Sequence, residues 1–182
     1  MGNAPKIEYR DCRLIVDDAA RGTWNMALDE SLLQFAPNQK RWTLRFYQWS
    51  RPTLSLGYFQ SHAGRSAHAA SRAADLVRRS TGGGAILHDA ELTYSITLPA
   101  AETSRGHSDW LYYALHETLI DALVEFGVRA GLQPRNRPDP DADEFLCFRR
   151  RTRGDVLLAA APGAHAWKIA GSAQRRSKGA VL

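Results

Sequence analysis

The sequence is poor in cysteine and has no long apolar segment, and both features exclude whole classes of protein. Its 182 residues include only two cysteines, Cys12 and Cys147, whose spacing fits neither a disulfide framework nor a zinc site. No apolar run approaches the roughly 20 residues that cross a bilayer, and the first residues lack the apolar segment of a signal peptide. We therefore expect a reduced, cytoplasmic protein with no membrane partner.

The charged residues give a basic balance without identifying a partner. The formal net charge is +5, and 44% hydrophobic with 24% charged residues is ordinary globular composition. A basic surface can recruit an acidic protein or a nucleic acid, whereas frequent arginine gives the same charge with no partner at all. We attribute most of the arginines to a generally arginine-rich composition and not to a binding partner. The cluster from Arg149 to Arg153 is the exception.

Hydrophobic periodicity predicts strands interspersed with helices. We expect strands within 9–18, 44–47, 53–58, 92–98, 155–159 and 166–173, the last two forming a hairpin. We expect helices at about 25–36, capped by Asn25, at 66–75, and from Ser108 to a stop at Gly127, with Leu111 and Phe126 on one face. The Pro, Asp, Asn and Arg residues over 131–144 predict an exposed loop. Antiparallel pairs with helices between them indicate an α+β fold.

The most unusual stretch runs from Arg78 to Ser95 and contains three consecutive glycines, Gly82, Gly83 and Gly84. Glycines permit a close backbone approach and a positive φ. A backbone cradle between two strands, with Arg79 at its rim, would suit a ligand that bears an anionic or carbonyl oxygen. A glycine-rich hairpin without any ligand explains the same residues equally well.

Four further side chains are candidates for chemistry. Cys147 comes shortly before three arginines, and nearby cations favour the reactive thiolate form of a cysteine. Most free cysteines, however, are small buried hydrophobic residues, and the local sequence favours that interpretation for Cys147. Lys168 lies in an apolar strand, where it either points inward to serve an anion or carbonyl or points outward into solvent. His88 and Asp89 resemble half of a nucleophile-activating relay, which alone is weak evidence. No second histidine has metal-ligand spacing, so we predict no metal site.

Four segments, in the order found in known proteins, resemble the biotin/lipoate A/B protein ligase family. They are residues 25–33, 44–60, 78–95 and 168–174. The resemblance implies the fold of class II aminoacyl-tRNA synthetase and biotin protein ligase cores, with a mixed, largely antiparallel sheet flanked by helices. It also implies a single catalytic-type domain over residues 1–182, truncated at its C-terminus relative to the family. The implied activity attaches an octanoyl or lipoyl group to a lysine of a lipoyl domain.

The resemblance also implies roles for the candidate residues. Lys168 would contact the acyl carbonyl or an acyl-adenylate. The segment around Cys147 is similar to the nucleophile segment of the family's octanoyltransferases. The implied substrate-binding positions are Arg79, Gly82, Gly83, Gly84, His88 and Asp89.

Two reaction types within the family differ in what they consume. A cysteine-dependent transferase exchanges one thioester for another and needs no cofactor, with octanoyl-acyl carrier protein as the donor. A lipoate-protein ligase activates a free acid as lipoyl-AMP and needs ATP and Mg. The ligases often carry an Asn-Asp pair, of which this chain keeps Asp155 and loses the amide at Gly154. We therefore favour the transferase, acting through a thioester on Cys147, and keep the ligase as the alternative.

Partners follow from the implied reaction. The acceptor is a lipoyl-domain protein such as the glycine cleavage H protein. A non-catalytic relative or a nucleic-acid-binding module ranks low, because the sequence has neither a helix-turn-helix pattern nor a basic-aromatic stripe.

Overall fold

A computed structural model describes residues 11–39, 41–100, 110–134, 145–158 and 166–182. In these ranges the chain forms two α-helices, α1 over Gly22–Phe35 and α2 over Trp110–Glu125. Its strands in the same ranges are β1 (Cys12–Val16), β2 (Trp42–Tyr47), β3 (Thr53–Leu56), β4 (Asp75–Arg78), β5 (Ile86–His88), β6 (Thr93–Pro99), β7 (Ala130–Leu132), β8 (Val156–Leu158), β9 (Lys168–Ala170), β10 (Arg176–Ser177) and β11 (Ala180–Val181). The predicted α+β class is confirmed. No helix within these residues is both long and apolar enough to span a bilayer.

The chain divides into two compact units. We call residues 9–105 with 173–182 the glycine unit, and residues 1–8 with 106–172 the cysteine unit. The three consecutive glycines belong to the former, and both Cys147 and Lys168 belong to the latter.

The glycine unit contains two sheets, with strand orders β1-β2-β6-β11-β10 and β4-β3-β5. The β1–β2 and β3–β4 pairs are parallel, and the other pairs in these sheets are antiparallel. Both strands predicted between residues 44 and 58 form, but they lie in different sheets. Leu33 in α1 and Ala36 just beyond it pack with Ala180 of β11 in one buried cluster.

Strand β2 contains a buried arginine whose charge is compensated by carboxylates and hydrogen bonds. Arg45 is fully buried, and its guanidinium pairs with Asp17 at 2.6 Å and with Asp29 at 2.9 Å. A third nitrogen donates to the side-chain oxygen of Asn25 at 2.8 Å. A buried cation needs carboxylates and hydrogen bonds around it, and α1 supplies most of them. The prediction of Asn25 as a helix cap is wrong, because α1 begins at Gly22 and the Asn25 side chain holds Arg45 instead.

The alanine-rich segment does not form the helix predicted over 66–75. It forms two short 3-10 segments, His62–Ala67 and Ala69–Ser71, and then enters β4. The physical reason is a competing set of hydrogen bonds from Arg65. Its guanidinium donates to the backbone carbonyls of Ser71, Arg72 and Ala74.

The cysteine unit contains α2 and the antiparallel sheet β7-β8-β9. The predicted hairpin of 155–159 with 166–173 is confirmed by the pairing of β8 with β9. The loop predicted over 131–144 is partly wrong, since its first residues complete β7. Its residues 135–144 lie outside the described residues.

Helix α2 ends where the sequence predicts, but the predicted face is buried only in part. Gly127, just beyond it, has a φ of 73°, which suits the glycine stop. Phe126, expected on the buried face, is 82% exposed. The buried residues of α2 are Leu111, Ala114 and His116. The predicted start at Ser108 lies outside the described residues.

Candidate active site

The cysteine unit brings together the thiol and the amine that the sequence singles out. Cys147 opens a single 3-10 turn, and Lys168 is the first residue of β9. The Lys168 Nζ lies 3.6 Å from the Cys147 Sγ and donates to the Cys147 carbonyl at 3.2 Å. Only 2% of the Lys168 side chain is exposed, so this lysine points inward. Cys147 as a residue is half-buried.

A buried carboxylate compensates the charge of the buried amine. Asp155 Oδ2 lies 2.8 Å from the Lys168 Nζ, and its side chain is as buried as that of the lysine. The Tyr112 hydroxyl donates to Asp155 Oδ1 at 2.9 Å, and the Thr152 backbone N–H and hydroxyl donate to Oδ2 at 2.7 and 3.0 Å. Burial, and then the adjacent Asp155 charge, raise the pKa of Tyr112, which therefore stays a hydrogen-bond donor. The carboxylate is thus fixed in place and holds Lys168 in turn.

The ion pair fits because the residue next to it has no side chain. A Cβ at Gly171 would lie 2.7 Å from the Lys168 Cε and 3.1 Å from the Asp155 Oδ1. Glycine at this position, directly after β9, therefore allows the lysine to fold back toward Asp155 and Cys147.

A buried histidine lies in the same unit, and sequence reasoning did not identify it. His116 in α2 is fully buried, with its Nδ1 2.7 Å from the Gly154 carbonyl oxygen and its Nε2 2.7 Å from the Ser172 Oγ. Burial lowers the pKa of His116, so the neutral ring is favoured. One sequence signal was available: Tyr112 and His116 are one helical turn apart, so both project toward the segments that hold Lys168.

The three glycines in the glycine unit form a loop, not a hairpin. They lie between β4 and β5, and each of these strands pairs with β3. A Cβ at Gly57 would lie 1.9 Å from the Gly83 carbonyl oxygen, so this loop packs directly on backbone at the end of β3. The close backbone contact explains the glycine at residue 57, and a φ of 91° explains the glycine at residue 83.

Arg79 holds the glycine loop together. Its guanidinium donates to the carbonyls of Gly82 and Gly84, each at 2.9 Å. It also donates to the Ser55 carbonyl at 2.8 Å and to the Ser55 hydroxyl at 2.7 Å. The substrate-binding role implied for Arg79 and the glycines stays a prediction, and these contacts give the arginine a structural role as well.

His88 has a carboxylate partner, but the partner is not its sequence neighbour. The ring is buried and stacks on the Trp49 ring, with 3.8 Å between the ring centroids, and its Nε2 and the Ser55 Oγ share a hydrogen bond of 2.7 Å. Its Nδ1 pairs with Glu91, whereas Asp89 is exposed. Burial lowers the pKa of His88, although the contact with Glu91 opposes that shift. Because successive strand residues point to opposite sides, two neighbours rarely form such a relay.

We predict that Gly57→Ala destabilises the protein, whereas Gly82→Ala does not. The new methyl group at residue 57 would overlap backbone, while a Cβ at residue 82 has no atom within 4 Å. Forcing an atom into a packed site typically destabilises by about 1–3 kcal/mol. Thermal unfolding followed by circular dichroism would show a lower midpoint for Gly57→Ala only. Equal midpoints for the two variants would contradict the packing described here.

Comparisons with known proteins identify the family of this chain. Residues 21–182 match the model of the lipoyl protein ligase A/B catalytic domain. The octanoyltransferase LipM of Oceanobacillus iheyensis is 36% identical over 164 residues, which cover 87% of this chain and 56% of that protein. The octanoyltransferase LipM of Symbiobacterium thermophilum is 36% identical over 178 residues, covering 93% and 62% of the two chains.

Solved structures show the same fold at lower identity. A lipoate-protein ligase A bound with ATP has a TM-score of 0.67 and 24% identity, covering 94% of this chain and 64% of that one. A bi-partite lipoate protein ligase from Thermoplasma acidophilum, described with its E2 lipoyl domain, has a TM-score of 0.64 and 22% identity, covering 95% and 59%. This chain thus spans less than two thirds of the length of these relatives. The match over residues 21–182 places it in the lipoyl protein ligase A/B catalytic domain family.

Proposed function

We propose that this chain carries the catalytic centre of a cytoplasmic octanoyltransferase that forms a thioester on Cys147. The observation that carries the proposal is the 3.6 Å contact between the Lys168 Nζ and the Cys147 Sγ, made by a lysine that Asp155 holds in a buried site. A thiol beside a fixed cation is the arrangement of an activated cysteine nucleophile. The similarity to octanoyltransferases called LipM supports the same reaction.

The first half-reaction would be a thioester exchange. The Cys147 thiolate, paired with the Lys168 ammonium group, attacks the octanoyl carbonyl carbon of the donor, octanoyl-acyl carrier protein, and the carrier thiolate leaves. The Lys168 ammonium group can donate a proton to that leaving sulfur and then remains as an amine. One thioester replaces another, so this step needs neither ATP nor a metal. A lysine of a lipoyl-domain protein then takes the acyl group as an amide, which is more stable than the thioester.

An ATP-dependent ligase remains the second candidate, supported by the shared fold with a ligase bound to ATP. Such an enzyme would need carboxylate oxygens for Mg²⁺. The Asp155 oxygens already accept from Tyr112, Thr152 and Lys168. Among the described residues, no three His, Cys, Asp or Glu side chains are grouped as metal ligands. The geometry of Asp155 therefore fits a partner for Lys168 better than a magnesium ligand.

The roles of the glycine unit stay predictions within this proposal. Gly82, Gly83 and Gly84 would offer backbone N–H groups to the acyl substrate, as the family resemblance implies. His88 and Arg79 would support that loop through their shared contact with Ser55.

We predict transfer without ATP. Octanoyl-acyl carrier protein, the protein and a lipoyl domain, mixed without nucleotide or magnesium, should yield a lipoyl domain heavier by one octanoyl group in intact mass spectrometry. Free lipoate with ATP and magnesium should yield no modified domain. The reverse pattern would select the ligase, and modification under neither condition would reject both activities for this chain.

A further inference from the structure

We propose that Ser172 and His116 form a proton relay that removes a proton from the acceptor lysine in the second half-reaction. The inference rests on the proposed function, because it assigns a base to the step in which the acyl group leaves Cys147. A lysine side chain arrives as an ammonium ion, which cannot attack a carbonyl until it loses a proton. The attacking nitrogen loses two protons in all. The Lys168 amine left by the first half-reaction can take one of them, and the pair of Cys147 and Lys168 leaves the other without an acceptor.

The geometry of the two residues is that of a hydroxyl with an oriented base. The His116 Nε2 lies 2.7 Å from the Ser172 Oγ, and the His116 Nδ1 lies 2.7 Å from the Gly154 carbonyl oxygen. A carbonyl only accepts hydrogen bonds, so Nδ1 carries the proton and Nε2 of the neutral ring accepts from Ser172. The backbone carbonyl thus fixes the tautomer of His116, as the third residue of a catalytic triad fixes the tautomer of the base.

The relay is attached to the same strand as the amine of the candidate active site. Ser172 follows Gly171, where a Cβ would lie 3.0 Å from the Lys168 Nζ. Gly154, which orients His116, directly precedes Asp155, which holds Lys168. His116 is fully buried, whereas Ser172 is partly exposed. The proton acceptor is therefore protected from water, while the residue whose hydroxyl contacts it is only partly buried.

The proposed step balances in protons and bonds. The acceptor ammonium gives one proton to the Ser172 Oγ, as the Ser172 hydroxyl proton moves to the His116 Nε2. The resulting amine attacks the octanoyl carbonyl carbon, a C–N bond forms, and the C–S bond to Cys147 breaks. The second proton lost from the nitrogen goes to the Lys168 amine, which regains its positive charge beside the leaving sulfur. His116 then releases its proton to solvent through Ser172.

The surroundings of His116 keep it available as a base. Its neighbours are the Tyr112 ring on its own helix, the Asp155 carboxylate and the Lys168 ammonium. Burial is the main reason that the pKa of His116 lies below its ordinary value, and Lys168 lowers it further, while the Gly154 contact and Asp155 oppose the shift. A base is active in its neutral form. Burial, the largest cause of the shift, also acts when Lys168 is an amine, so the acid limb of the transfer step should lie below the ordinary histidine range.

The test separates the two half-reactions. The protein is first loaded with octanoyl-acyl carrier protein, and the added octanoyl mass is followed by intact mass spectrometry. A lipoyl domain is then added, and loss of that mass is timed. We expect Ser172→Ala and His116→Asn to load at nearly the wild-type rate and to transfer about 100-fold more slowly, the usual effect of losing a general base. Ser172→Thr, which keeps the hydroxyl, should transfer at close to the wild-type rate.

A small nucleophile distinguishes a relay from a structural role. Hydroxylamine is uncharged at neutral pH and needs no base, so it should remove the octanoyl group equally fast from wild type and from Ser172→Ala. If Ser172→Ala loses its octanoyl group more slowly than wild type by the same factor with hydroxylamine and with the lipoyl domain, the relay is overturned. The same holds if Ser172→Ala is not slowed with either nucleophile. If the wild-type protein never gains an octanoyl group, the proposed function fails instead. Thr118→Ala, on the same helix and bonded only within it, is the matched control and should behave as wild type.

Discussion

Replacing Cys147 by serine should abolish the covalent intermediate and reduce octanoyl transfer by at least about 10³-fold, as removal of an attacking group does in other enzymes. In the first half-reaction of the proposed route, the Cys147 sulfur is the atom that bonds to the acyl carbon. A serine hydroxyl at the same place is a far weaker nucleophile, and Lys168 is positioned to support an anionic sulfur rather than to deprotonate an alcohol. Incubation with octanoyl-acyl carrier protein and intact mass spectrometry would measure the loss directly.

The other cysteine provides a matched control. Cys12 lies exposed at the start of β1, and the contact of its thiol is with the carbonyl of its neighbour Arg13. Cys12→Ser should therefore load and transfer as wild type does. Full transfer by Cys147→Ser, in the same assay, would remove the thioester route whatever the family of the chain.

The sequence singles out Cys147 and Lys168 as candidates but does not predict what positions them. Cys147 gains its assignment from the family resemblance, since local sequence favours a small buried hydrophobe. The hairpin of β8 and β9 is predictable from its turn and periodicity, and it places Asp155 close to Lys168. The ion pair itself depends on the fold of the segment before β8 and on the absence of a side chain at Gly171. Neither feature produces a periodic pattern in the sequence.

Buried polar side chains are one feature of this chain that hydrophobic periodicity does not predict. Alternation in β2 suggests that Leu44 and Phe46 are buried, yet Arg45 is fully buried because Asp17 and Asp29 reach it from distant parts of the chain. His116 is the same case in α2, where the ring is buried against Gly154. Hydrophobic periodicity predicts that such polar residues are exposed. They are buried because residues distant in the sequence supply hydrogen bonds and opposite charges.

Replacing Lys168 by alanine should reduce both half-reactions severely and also weaken the fold. The buried Asp155 would lose its cation, and removing one partner of a buried pair typically destabilises by about 3–5 kcal/mol. Cys147 would lose the only ammonium group that contacts its sulfur within the described residues. We expect acyl loading to fall by at least about 10²-fold, the effect of losing a general acid–base group.

A second variant separates the chemistry from the folding. Lys168→Met combined with Asp155→Asn removes both charges together, so no buried charge is left without a partner. The thermal midpoint of this double variant should lie well above that of Lys168→Ala. Its rate of loading with the octanoyl group from the carrier protein should be as low as that of Lys168→Ala. Wild-type loading by the double variant would show that the buried pair maintains the fold and takes no part in the reaction. Slow loading in a stably folded double variant would assign Lys168 to the chemistry of the Cys147 sulfur.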